Sequence, residues 1–173
     1  MTQADQPKPI LDRQLELTDI PNIDLYMDQV IQLFERTFEE TTRAKGETIL
    51  TKTMINNYAK KKLFFPVTNK KYTKDHLILI SLIYQLKGTF SINDIKTILT
   101  DLNTGVTSQS IDLEAFYQSY LDTTAANQIR FEAQQQLPDE SDHLEQLQLI
   151  LSLAHMSNLY RRAAERLIDQ LED

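Results

Sequence analysis

The chain has 173 residues and a mass of 20.1 kDa, 41% of them apolar and 25% charged, which suits one substantial hydrophobic core and excludes a large multidomain enzyme, a collagen-like repeat and a strongly disordered chain. Zero cysteines exclude disulfides, thiolate zinc sites and cysteine nucleophiles, so that only carboxylates and His76, His143 and His155 remain as metal ligands. The net charge of −7 is unevenly spread: between Arg43 and His76 nine basic residues face two acidic ones, a local balance of +7, and the rest of the chain carries −14.

A local excess of cations steers a polyanion whatever the total charge, so this pattern suits a DNA-contacting module on an acidic body. A solvated lysine face that binds nothing would have the same charges, and charge alone does not separate the two. Only three glycines (Gly46, Gly88, Gly105) and five prolines are present, too few for the turns of an all-β fold or the phosphate loops of a nucleotide-binding α/β fold. The chain therefore reads as all-α.

Residues 1–22 hold three of the prolines and predict an extended N-terminal arm, which Leu15, Leu17 and Ile20 can pin to the core. From 24 to about 41, Met27, Val30, Ile31, Phe34 and Phe38 recur at helical spacing, with Asn22 or Asp24 as the expected N-cap. Residues 42–48 are polar and read as a loop. Thr51 caps a second helix from 52 to about 63, with Leu50 and Ile55 placed for a hydrophobic staple and Lys60, Lys61 and Lys62 at the C-terminal end of the dipole. Residues 64–72, with Pro66 and Thr68-Asn69, predict a short extended excursion or small hairpin.

A third helix, 74–87, is apolar nearly all round, with Lys74, Ser81 and Gln85 on one polar stripe, so it must be enclosed on most sides. Ser91 caps a fourth, where Asp94 completes a capping box and Ile95, Ile98, Leu99 and Leu102 form one apolar stripe. Residues 103–109, with Gly105, read as a linker. Two long helices follow: 111–136, weakening through 123–128 and ended by Pro138, and 142–171, with Leu144, Leu147, Ile150, Leu151, Ala154, Ala163, Leu167 and Leu171 as an apolar stripe for the preceding helix or a second subunit.

The order of elements over 50–102 resembles the DNA-binding domain of the MerR group of bacterial regulators. The features that carry the resemblance are Tyr58 in the middle of the second helix, Leu63 and Pro66 after it, and the basic wing Lys70-Lys71-Tyr72. They continue with the apolar helix from Leu77 to Leu86 and the capped helix with Ser91, Ile95, Lys96 and Leu99. Three features depart from that pattern: Asn56-Asn57 stands where the group has Arg-Tyr, Lys62 where it has Gly, and the loop before the second helix is longer. Through "LYMDQV" at 25–30 and "TKTMINNYAKKKL" at 51–63 the chain is also similar to a bacterial family known as domain of unknown function 1836. The resemblance implies an arm at 1–22, a MerR-like winged helix-turn-helix domain at 23–103 and a C-terminal pair of long helices at 110–173.

On the second helix, Met54, Ile55, Tyr58, Ala59 and Leu63 form the expected packing face, and Lys52, Thr53, Asn56, Asn57, Lys60 and Lys61 face away. An Asn amide can bond adenine bidentately and a Lys can reach guanine edges or phosphates, which is suitable chemistry for direct readout. Lys70 and Lys71 are placed for backbone contacts, and Tyr72 for a contact or, more simply, for packing its ring.

No Walker loop, Gly-rich dinucleotide turn, G-x-S-x-G motif or ligand-spaced His pair occurs in the sequence, so we expect no enzyme, cofactor or metal site. His143 near Asp139 reads as part of a charged helix start, and His155 as a packed or surface residue. Residues 1–8 are polar, and the longest apolar runs, 63–67 and 77–80, are too short to span a bilayer, so the expected location is cytoplasmic. The reading that results is a sequence-specific regulator that binds double-stranded DNA as a homodimer through its C-terminal helices. A protein-interaction adaptor that has lost DNA binding is the alternative. An effector pocket lined by Phe116, Tyr117, Tyr120 and Tyr160 is compatible with both, although core packing is the simpler use of those rings.

Overall fold

The computed structural model describes residues 10–134 and 142–171, and over them the chain is mostly helical. The elements run β1 (Leu25–Tyr26), α1 (Met27–Phe38), α2 (Lys52–Lys60), β2 (Lys71–Tyr72), α3 (Lys74–Leu86), α4 (Ile92–Thr107), α5 (Leu113–Gln134) and α6 (His143–Leu171). Local capping chemistry sets most of the helix starts. Thr51 Oγ1 accepts from Met54 N at 3.1 Å, Ser91 Oγ accepts from Asp94 N at 3.2 Å, and the Asp94 carboxylate accepts from Ser91 N at 3.1 Å. The expected cap of α1 is corrected: Tyr26, not Asn22 or Asp24, precedes the helix, and its N–H donates to Gln29 Oε1 at 2.9 Å. The helix starts late because Leu25 and Tyr26 are taken up by pairing antiparallel with Tyr72 and Lys71.

The core gathers round α3, which is buried without interruption from His76 to Ile83. Against it stand Val30, Phe34 and Phe38 of α1, Ile55 and Tyr58 of α2, Ile95 and Leu99 of α4, and Leu113, Tyr117 and Leu121 of α5. Each such aliphatic side chain contributes on the order of 1.5–3 kcal/mol by leaving water. Ser81, expected on a polar stripe, is instead fully buried, with its hydroxyl 3.0 Å from Tyr117 Oη. The arm is held by the same helices: Tyr117 Oη donates to Leu15 O at 2.8 Å, Tyr120 Oη to Gln14 Oε1 at 3.3 Å and Gln85 Nε2 to Arg13 O at 3.0 Å.

The linker expected over 103–109 is helical as far as Thr107. Gly105 is buried there because Ile111 packs onto its backbone; a Cβ on Gly105 would lie 2.2 Å from Ile111 Cδ1. The chain turns directly into α5, with Ser110 N donating to Gly105 O at 2.8 Å, and the first half of α5 shares the core of α3. Tyr117 and Tyr120 stack at 5.7 Å against the core, whereas Phe116 and Tyr160 are exposed.

Beyond Leu121 the surface is open. On α6 Ile168 alone is buried, while Leu144, Leu151, Tyr160 and Leu167 are each more than 60% exposed. The expected stop at Pro138 lies outside the described residues. Among the described residues no helix is long and apolar enough to cross a membrane.

Candidate nucleic-acid interface

Helix α2 takes its orientation from what it buries. Ile55 and Tyr58 enter the core and Leu50, before the cap, is buried as well, so residues on the opposite face stand in solvent. Lys52, Thr53, Asn56, Asn57, Lys60 and Lys61 are all exposed. Ala59, expected on the packing face, is exposed too, because the chain leaves the helix one residue later and a cleft opens beside it.

The helix ends in a turn that reverses the chain. Lys62 takes a left-handed φ of 59°, Lys62 N donates to Ala59 O at 3.0 Å and Leu63 N to Tyr58 O at 3.0 Å. This is the position that glycine normally fills, since a side chain there crowds its own carbonyl. The wing follows. Asn69 and Lys70 both have positive φ (53° and 59°), and Lys71 N donates to Thr68 O at 3.0 Å, the geometry of a hairpin turn whose twist matches its strands. Pairing of β2 with β1 then fixes the wing to the start of α1.

Three rings lock the base of the wing. Tyr72 is buried, so its ring serves mainly packing, and it meets the surface only where it lines the clefts beside the wing. Phe65 lies 3.9 Å from the His76 ring and Phe64 meets the same ring edge-on at 5.8 Å. His76 Nδ1 accepts from Thr73 N at 3.1 Å, which leaves Nε2 to donate to Phe65 O at 3.0 Å. Burial lowers the His76 pKa below its ordinary value, against the raising effect of the Phe65 and Pro66 backbone and of Asp75 and Asp24. Burial raises the pKa of Tyr72, and that of Tyr58 with a smaller contribution from Tyr84.

Of the residues expected in the site, the fold brings Asn56, Lys70 and Tyr72 together: all three line one open cleft of about 480 Å³ with Tyr26, Met27, Asp28 and Val67. Lys71 is half-buried, with its ammonium 5.5 Å from the centre of the Tyr26 ring. Lys52 forms an exposed ion pair with Asp28 at 2.8 Å, a contact of little intrinsic strength. No carboxylate stands in the sequence between Glu47 and Asp75, so Asp28 is brought to this surface only by the fold. Sequence reasoning missed Asp28, Tyr26 and His76, and it noted Lys62 only as a helix-ending cation in the place of a glycine; the spacing of Thr73 and His76, matching that of a capping pair, was the one signal for His76. Among the described residues no three metal-binding side chains come together.

A sequence family described as Domain of unknown function (DUF1836) matches residues 15–120. That span takes in the shared core from Leu15 on the arm to Tyr117 on α5 and stops one residue short of Leu121. No curated protein matches the chain, and no solved structure does.

Proposed function

The chain belongs to the family described as Domain of unknown function (DUF1836), whose description carries no activity, and from its own residues we propose that it is a dimeric, sequence-specific DNA-binding regulator of MerR-like winged helix-turn-helix type. The observation that carries this reading is the joint surface of α2 and the wing. Thr53, Asn56, Asn57, Lys60 and Lys61 are exposed along one helix, and Lys70 at the wing tip shares a cleft with Asn56. In this reading α2 enters a major groove, the Asn56 and Asn57 amides read base edges, and the lysines of helix and wing hold phosphates on either side. Lys52 exchanges Asp28 for a phosphate on binding. The apolar residues left open on α6 pair with a second copy, which gives two reading heads for a two-fold site.

Binding to duplex fragments from the chromosomal neighbourhood, measured by fluorescence anisotropy over a range of salt, tests it. Affinity should fall steeply with salt, and Lys61→Glu and Lys71→Glu should each weaken binding to every sequence and flatten the salt slope. Asn57→Ala should instead lower specific binding by about 1–3 kcal/mol and leave the non-specific background in place. A wild-type chain with no salt-sensitive binding to any duplex would make the lysines a solvated face and the protein an interaction adaptor.

A further inference from the structure

A surface that meets DNA has little use for a carboxylate, because phosphates repel it. Yet the fold sets Asp28 inside that surface, in the cleft that it shares with Asn56 and Lys70. Its side chain stands in the first turn of α1 and is 70% exposed, with one oxygen 2.8 Å from Lys52 Nζ. The positive end of the helix dipole and the lysine both suit a negative charge there, which accounts for Asp28 in the free chain.

In a complex the balance changes. Lys52 opens α2, and when it turns to a phosphate Asp28 loses its cation. The carboxylate is then enclosed beside Asn56, between protein and duplex. A charge taken out of water without a partner is costly, so a donor has to meet it. The major groove offers such donors in the exocyclic amino groups of cytosine and adenine. Adenine carries the acceptor N7 beside its amino group, which repels a carboxylate, whereas cytosine presents its N4 amino group with no acceptor next to it on the same base.

We propose that Asp28 is a specificity-determining residue: its carboxylate accepts from the N4 amino group of a cytosine next to the base that Asn56 reads. The inference rests on the regulator reading and adds to it a base that the site must hold. A duplex with cytosine at that place satisfies the carboxylate. Any other leaves it unpaired, so Asp28 weakens wrong complexes more than right ones, and it does so where the lysines, which hold phosphates, cannot discriminate.

The test selects binding sites from a randomised duplex library with the full-length wild type, Asp28→Ala and Asp28→Asn, and then measures affinities for the selected duplexes by fluorescence anisotropy. Wild type should enrich cytosine at one fixed position in each half-site. Replacing that cytosine by 2-pyrimidinone, which lacks the 4-amino group, should weaken wild-type binding roughly tenfold and leave Asp28→Ala unaffected. Asp28→Ala should lose the preference at that position, keep the preferences elsewhere in the site, and bind unrelated duplex more tightly than wild type, because a negative charge has left the surface. Asp28→Asn should move the preference from cytosine to adenine, since an amide bonds N6 and N7 together. A residue that serves only the helix dipole and Lys52 would change no base preference, whatever it did to the melting temperature. Unchanged preferences in both variants, or a loss in Asp28→Ala that is equal at every sequence, overturns the role of Asp28 while the regulator reading stands. If the wild type enriches no sequence, the regulator reading itself fails and takes the role of Asp28 with it.

Discussion

Tyr117 Oη lies 3.0 Å from Ser81 Oγ and 2.8 Å from Leu15 O, so one phenol ties α5, α3 and the N-terminal arm together inside the core. A phenol has one proton. It goes to the carbonyl of Leu15, and the Ser81 hydroxyl therefore donates to Tyr117. Burial raises the Tyr117 pKa, which keeps the group a donor. Tyr117→Phe leaves two buried polar groups unpaired and should cost about 1–3 kcal/mol in urea unfolding. Ser81→Ala should cost less in the Tyr117→Phe background than in wild type, because its partner is already gone. Unfolding of Tyr117→Phe at the wild-type midpoint would show that the arm is held by apolar contacts alone.

The corner between α4 and α5 makes a sharper demand. With Ile111 seated on the Gly105 backbone, Gly105→Ala forces side-chain atoms apart and should destabilise by about 1–3 kcal/mol, even though alanine is the better helix former. Adding Ile111→Ala should recover part of that loss. Calorimetry on the two single variants and the double decides it: additive losses would mean that the two residues do not meet.

His76 links the wing to pH. The folded pKa is below the ordinary value of 6.5, so the unfolded chain takes up the proton first, and stability falls as pH drops through that value towards the folded one. A proton on Nδ1 also opposes the Thr73 N–H that it now accepts from. His76→Gln keeps an acceptor three residues into the helix and removes the titration. Its melting temperature should be lower than wild type at about pH 7.5 and should change less between there and about pH 5.5. A wild-type curve that is as flat as the variant's over that range would remove His76 from the account.

On α6, Leu151 is 69% and Leu167 63% exposed, so neither is buried by its own chain. A charge on this stripe is therefore expected to act on assembly and not on the fold of the single chain. Leu151→Asp should turn a dimer into a monomer by sedimentation at tens of micromolar, about the range of weak association, while secondary structure stays as in wild type. An unchanged dimer would place the interface elsewhere.

Much of the fold was legible because its signals are local. Thr51, Ser91 and Asp94 cap the helices they were expected to cap, and the apolar run of α3 could only be a central helix. Misreadings arose where a distant residue decides. Gly105 looked like a breaker because nothing near it in sequence shows that Ile111 needs the space, and Ser81 looked solvent-facing because its partner is 36 residues away. A two-residue strand such as β1 is too short to show alternation. The site divided the same way: the lysines of α2 and the wing stand out as a charge run, whereas Asp28 pairs with Lys52 from a different helix and becomes visible only once the chain is folded.

The hydrogen bond from Tyr117 to Leu15 spans 102 residues, and it sets an order of events during synthesis. The arm is the first part of the described chain to be made, yet its fastening on α5 is made long after α1, α2 and α3. Until then the apolar surface that Leu15 covers has no lid, and closing so long a loop is slow compared with forming any one helix. A chain that ends before residue 117 lacks this fastening, so the surface beneath Leu15 stays open until α5 has been made and has left the ribosome.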